Sequence, residues 1–94
     1  MELRFFIDPE SGQPHIYDHG VTEEEVRQVM AKRGQDYPGN EDSRMKLGQT
    51  DAGRYLQVVY SPDEGTDSVF VVTAYELRGK SLKAYRRRER RKPK

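Results

Sequence analysis

One stretch constrains the fold of this chain more than any other. Ser68-Val-Phe-Val-Val-Thr-Ala-Tyr75 runs through Glu76-Leu77-Arg78-Gly79 into the basic segment Lys80 to Lys92. Val69 to Ala74 is almost continuously apolar, which predicts a central strand buried on both faces. The segment that follows carries most of the positive charge. From Arg78 to Lys94 there are ten Lys or Arg and one acid, Glu89, a net charge of about +9, against −8 over residues 1 to 77. A formal total of +1 therefore conceals a strong dipole. Such asymmetry points to nucleic acid, an anionic membrane or an acidic partner, or to a solvated helix that keeps a small protein dispersed.

At 94 residues the chain is expected to form a single domain, 1–94, with a small core and a basic tail, 86–94, that frays or projects. Only 33% of its residues are hydrophobic, but they are gathered into segments, which argues against general disorder. Cysteine is absent, so disulfide frameworks and thiolate metal sites are excluded. Arg4, Asp8 and Glu10 fall within the first dozen residues, and no apolar run approaches a membrane span, so a cytoplasmic location without membrane contact is expected.

Other elements follow from local signals. Leu3, Phe5 and Ile7 alternate with polar or outward positions as in a half-buried strand, and Pro9, Gly12 and Pro14 then end regular structure in a loop or hairpin turn. Thr22 and Glu25 form a capping box, Val21 and Val26 a hydrophobic staple, and Val26, Val29 and Met30 an apolar stripe. These predict an acidic helix over about 23–33, stopped by Gly34 and packed on a sheet. Residues 35–43 read as a surface connection with a short extended piece at Asp36-Tyr37. Arg44–Thr50 and Arg54–Tyr60 read as strands joined by the Asp51-Ala52-Gly53 turn. The expected architecture is α+β: a small antiparallel sheet of about four strands in a meander, an N-terminal acidic helix on it, and a C-terminal basic helix.

The order of these pieces carries a resemblance. An early strand ends in Asp8-Pro9, and after nine intervening residues His19-Gly20-Val21 leads into the acidic helix. Gly53-Arg54-Tyr55-Leu56 and Val58-Val59-Tyr60 follow, then Val71-Val72-Thr73-Ala74 and a Lys/Arg-rich helix bearing Tyr85. Over residues 5 to 90 this resembles the BrnT family of bacterial type II toxins, small ribonucleases with a RelE-like fold. The resemblance implies metal-independent RNA cleavage, no cofactor, and silencing by a cognate antitoxin. Two departures stand out: the family's helix before His-Gly-Val is replaced by a Pro- and Gly-containing stretch, and its strand-end arginine by Tyr75.

Such cleavage needs an acid and a base and a cation for the phosphorane. His19 is the acid/base candidate; otherwise it is a helix-entry residue bonded to a nearby carbonyl. Arg54 beside a glycine turn could present its guanidinium to a phosphate, or pair with a turn acid such as Asp51. Tyr75, expected on one face with Thr73 and Val71, and Tyr85 could stack on bases or close the core. Arg44 and Lys46 share a face and could widen a basic surface or guard a sheet edge. Lys80, Lys83, Arg86 and Arg87 would hold RNA phosphates in a salt-sensitive way. His15 and His19 lie four residues apart but show no third ligand in sequence, so no metal is expected. The competing reading is a non-catalytic RNA- or ribosome-binding module, or a protein-interaction domain, using the basic helix; the oligomeric state is open, a dimer included.

Overall fold

The computed structural model describes residues 1–91. Five strands, β1 (Glu2–Phe5), β2 (Gln35–Pro38), β3 (Arg44–Gln49), β4 (Tyr55–Pro62) and β5 (Ser68–Glu76), form one sheet in the order β1-β5-β4-β3-β2. Helix α1 (Glu23–Ala31) and helix α2 (Gly79–Arg91) accompany them, with a short 3-10 helix at His15–His19. The α+β expectation holds, but the sheet has five strands and is mixed. β2 to β5 form the antiparallel part, while β1 pairs parallel to β5, Leu3 opposite Val69 and Phe5 opposite Val71. The expected strand through Ile7 stops at Phe5, and Ile7 is 49% exposed.

Alternation along the strands sends side chains to two faces, and a helix covers part of each. On one face Val26, Val29 and Met30 of α1 pack with Leu56, Val58, Tyr60, Val69, Val71 and Ala74, closed at the end by Ile16 and Val21. On the other, Tyr85 and Leu82 of α2 pack with Leu47, Leu77, Tyr37, Met45 and Tyr55. β4, not β5, is the middle strand, and β5 alternates buried with half-buried positions instead of being buried on both faces.

A bulge shifts β5 against β4. Val59 lies opposite Thr73 and Tyr60 opposite Val71, so Val72 is the additional residue. Val71 and Ala74 consequently both face α1, while Thr73 and Tyr75 lie on the opposite face. The expectation that Tyr75 and Thr73 share a face with Val71 is thereby corrected.

The helix start is as the capping residues dictate: the Thr22 hydroxyl accepts from the Glu25 N–H and the Glu25 carboxylate accepts from the Thr22 N–H. Its end differs. Lys32 closes α1 in extended backbone, and the last carbonyls, of Met30 and Lys32, accept from the Lys46 ammonium on β3. Gly34 serves a different purpose, since a Cβ there would sit 2.7 Å from the Leu47 carbonyl oxygen. No helix among the described residues is long and apolar enough to cross a membrane.

Candidate functional site

The segment from Phe6 to Val21 brings His19 to the sheet. Ile7 and Pro14 bridge antiparallel, and Pro14 opens the 3-10 helix. Gly20 ends that helix at φ 69°, a left-handed conformation in which its N–H donates to the Tyr17 carbonyl and the Val21 N–H to the Ile16 carbonyl. Buried Ile16 anchors the turn, leaving His15 half-buried and His19 exposed. The stretch 8–18 is thus a hairpin-like excursion and a single 3-10 turn, as its prolines and glycine dictate.

Three sequence-nominated residues converge where β4 begins and β5 ends. The His19 and Tyr75 rings lie 5.9 Å apart between centroids. Arg54 donates to the Gly20 carbonyl at 2.8 Å, to both Glu25 carboxylate oxygens at 3.0 and 3.1 Å, and to Glu76 at 3.4 Å. Its partners are therefore Glu25 and Glu76; Asp51 instead pairs with Lys32. Burial pushes the Glu25 carboxyl up, and the Thr22 N–H with the Arg54 guanidinium more than offsets this, leaving it below the usual carboxylate range. The Tyr75 hydroxyl accepts from the Gln57 amide at 2.7 Å, and Tyr75 is 36% exposed. An exposed imidazole and an exposed phenol thus share one rim, with a guanidinium behind them engaged by carboxylates.

The residues nominated for phosphate contact divide. Arg44 pairs with Asp36 at 2.9 Å, and Asp36 also accepts from the Tyr60 hydroxyl, which burial and that carboxylate push up to about 12. Lys46 caps α1, and burial lowers its ammonium despite the neighbouring Asp36. Arg44 is thus paired with an acid on the neighbouring strand, and Lys46 with carbonyls at the end of α1. Tyr85 is buried against Tyr55 at 5.8 Å, so it closes the core. Lys80, Lys83, Arg86 and Arg87 are exposed, and the last three line a shallow groove of about 320 Å³ with Arg90.

The basic helix continues to Arg91 and is clamped from β2. Gln35, buried, donates to the Tyr85 carbonyl at 3.2 Å and to Glu89 at 2.8 Å, and accepts from Arg88 and Tyr37. Of the expected tail, 86–91 is thus helical, and 92–94 lie outside the described residues.

Comparison with family models, curated proteins and solved structures finds no match to this chain.

Glu25, Glu76 and Gln57 complete the rim, and sequence reasoning missed them in that capacity. Glu25 was legible only as a capping residue. A second group was also missed: His15 Nδ1 lies 3.5 Å from Asp8 Oδ2 and 3.4 Å from Asp18 Oδ2, so His15 faces two carboxylates, while its ring meets that of His19 at 5.3 Å. The spacing of His15 and His19 had pointed to a pair of histidines, whereas the groups that gather around His15 are acids.

Proposed function

We propose that this protein acts on RNA as a ribonuclease of the BrnT/RelE toxin kind, working in the cytoplasm and held silent by a cognate antitoxin. The observation that carries the reading is the ring contact of His19 with Tyr75, two residues 56 positions apart in sequence, on an open rim. In this reading His19 takes the proton of a 2′-hydroxyl, whose oxygen attacks phosphorus. The P–O5′ bond breaks, and the Tyr75 phenol returns a proton to the leaving 5′-oxygen. The products are a 2′,3′-cyclic phosphate and a 5′-hydroxyl end. Arg54, with its Nε and Nη1 engaged by Glu76, Glu25 and Gly20, enters as a positioning residue that fixes the His19–Gly20 segment against β4 and β5. Lys80, Lys83, Arg86 and Arg87 hold the flanking phosphates.

A second reading, RNA retention without cleavage, is favoured by the same Arg54 contacts. They engage its Nε and Nη1 with two carboxylates and a carbonyl, which offsets the charge it could offer a phosphorane at the His19–Tyr75 pair. Mapping 5′ ends in a translating extract, with metal-free wild-type protein and with His19→Ala and Tyr75→Phe proteins, separates the two. New 5′-hydroxyl ends made by the wild type and lost in both variants support the nuclease. Unchanged RNA, with salt-sensitive retention by all three proteins, leaves the binding module.

A further inference from the structure

We infer that Asp8, His15 and Asp18 form a divalent-metal site, suited to zinc, that staples the segment leading to His19. The inference is independent of the RNA reading. The three side chains come from two stretches that the fold presses together. The Ile7–Pro14 bridge and the bond from the Asp8 N–H to the Gln13 carbonyl hold Asp8 opposite the start of the 3-10 helix. Within that helix His15 and Asp18 are three apart, and at three residues per turn they lie on one side.

The separations point to an ion. His15 Nδ1 is 3.5 Å from Asp8 Oδ2 and 3.4 Å from Asp18 Oδ2, and the three ligand atoms lie within 4.8 Å of one another. A charge-assisted N–H···O bond closes to about 2.7–2.9 Å, so neither contact is a well-made one. Ligands bonded to zinc at about 2.1 Å in tetrahedral array stand roughly 3.4 Å apart. The two measured nitrogen–oxygen separations match that edge. One imidazole nitrogen and two carboxylates also make a donor set that zinc, manganese or cobalt accepts, with a position left for water. Asp8 is set by accepting from the Glu10 N–H at 2.8 Å, and Asp18, about half exposed, has room to close the third edge. His15 is coordinated through Nδ1 as the neutral ring, its proton on Nε2.

The test is titration of the metal-free chain with zinc by calorimetry and with cobalt by visible absorption. The wild type should bind one ion per chain, show the intense cobalt bands of low-coordinate geometry, and gain thermal stability. His15→Ala and Asp18→Asn should each weaken zinc by about 100-fold or more, while Glu24→Gln, an exposed acid elsewhere, leaves binding unchanged. Asp18→Asn guards against misfolding, because its side chain is outside the core; its circular dichroism should match the wild type. No one-to-one binding up to about 1 mM zinc, or equal binding by all four proteins, would overturn the site.

Discussion

At the scale of single residues, Arg54 ties together more of the fold than its place beside a turn suggests. It joins the Gly20 carbonyl, the capping glutamate of α1 and the end of β5, with only 26% of its side chain exposed. Arg54→Ala leaves Glu25 with its Thr22 contact and Glu76 with its Arg78 pair, and should cost about 1–2 kcal/mol in urea unfolding. Glu25 also sets an acid limb. Its folded pKa lies below the ordinary 4.5, so its stabilising contribution is complete above that pH and is lost as pH falls through the lower folded value. Unfolding midpoints taken from about pH 6 to about pH 3 should fall, and Glu25→Gln should flatten part of that fall. Arg54 was legible as a guanidinium beside a glycine turn. Its partners were not, because Glu25 and Glu76 lie 29 and 22 residues away and only the topology makes them neighbours.

Among elements, α2 depends on one buried amide. Gln35 holds the Tyr85 carbonyl, Glu89 and Arg88 from β2. Gln35→Ala should therefore raise hydrogen exchange across 79–91 while β4 and β5 stay protected, at a cost of about 1–2 kcal/mol. Two glycines allow close approaches to β3 and from it. A Cβ at Gly34 would meet the Leu47 carbonyl oxygen at 2.7 Å, and one at Gly48 the Val29 methyl at 3.2 Å. Gly34→Ala should accordingly be the more destabilising of the two, by roughly 1–3 kcal/mol, since a backbone atom yields less readily than a side chain. The capping box, the staple and the three long strands were readable because their signals are local. β2 was visible only as a short extended piece, being four residues long and ending in a proline. The parallel pairing of β1 and the bulge at Val72 leave no local mark, as both are fixed by residues across the sheet.

For the molecule as a whole, the charge division in sequence becomes a division in space. Seven of the last segment's ten cations lie on α2, whereas Arg44 pairs with Asp36, Lys46 with carbonyls of the α1 end and Arg54 with Glu25 and Glu76. Under the proposed RNA reading, salt-dependent retention should follow α2. Replacing Lys83, Arg86, Arg87 and Arg90 by glutamine should flatten the slope of log affinity against log salt by about 0.7 for each phosphate no longer neutralised. Arg44→Gln should leave that slope unchanged. Filter retention at several salt concentrations measures both.

The parallel edge has a consequence for the order of assembly. Residues 2–5 pair along residues 67–71, so β1 cannot join the sheet before β5 exists. Antiparallel pairing of β2 to β5 joins neighbours in sequence and closes short loops, whereas β1 closes the longest one. Docking of β1 is thus expected late, sealing the β5 edge, and a chain cut before residue 68 would have no template for residues 2–5.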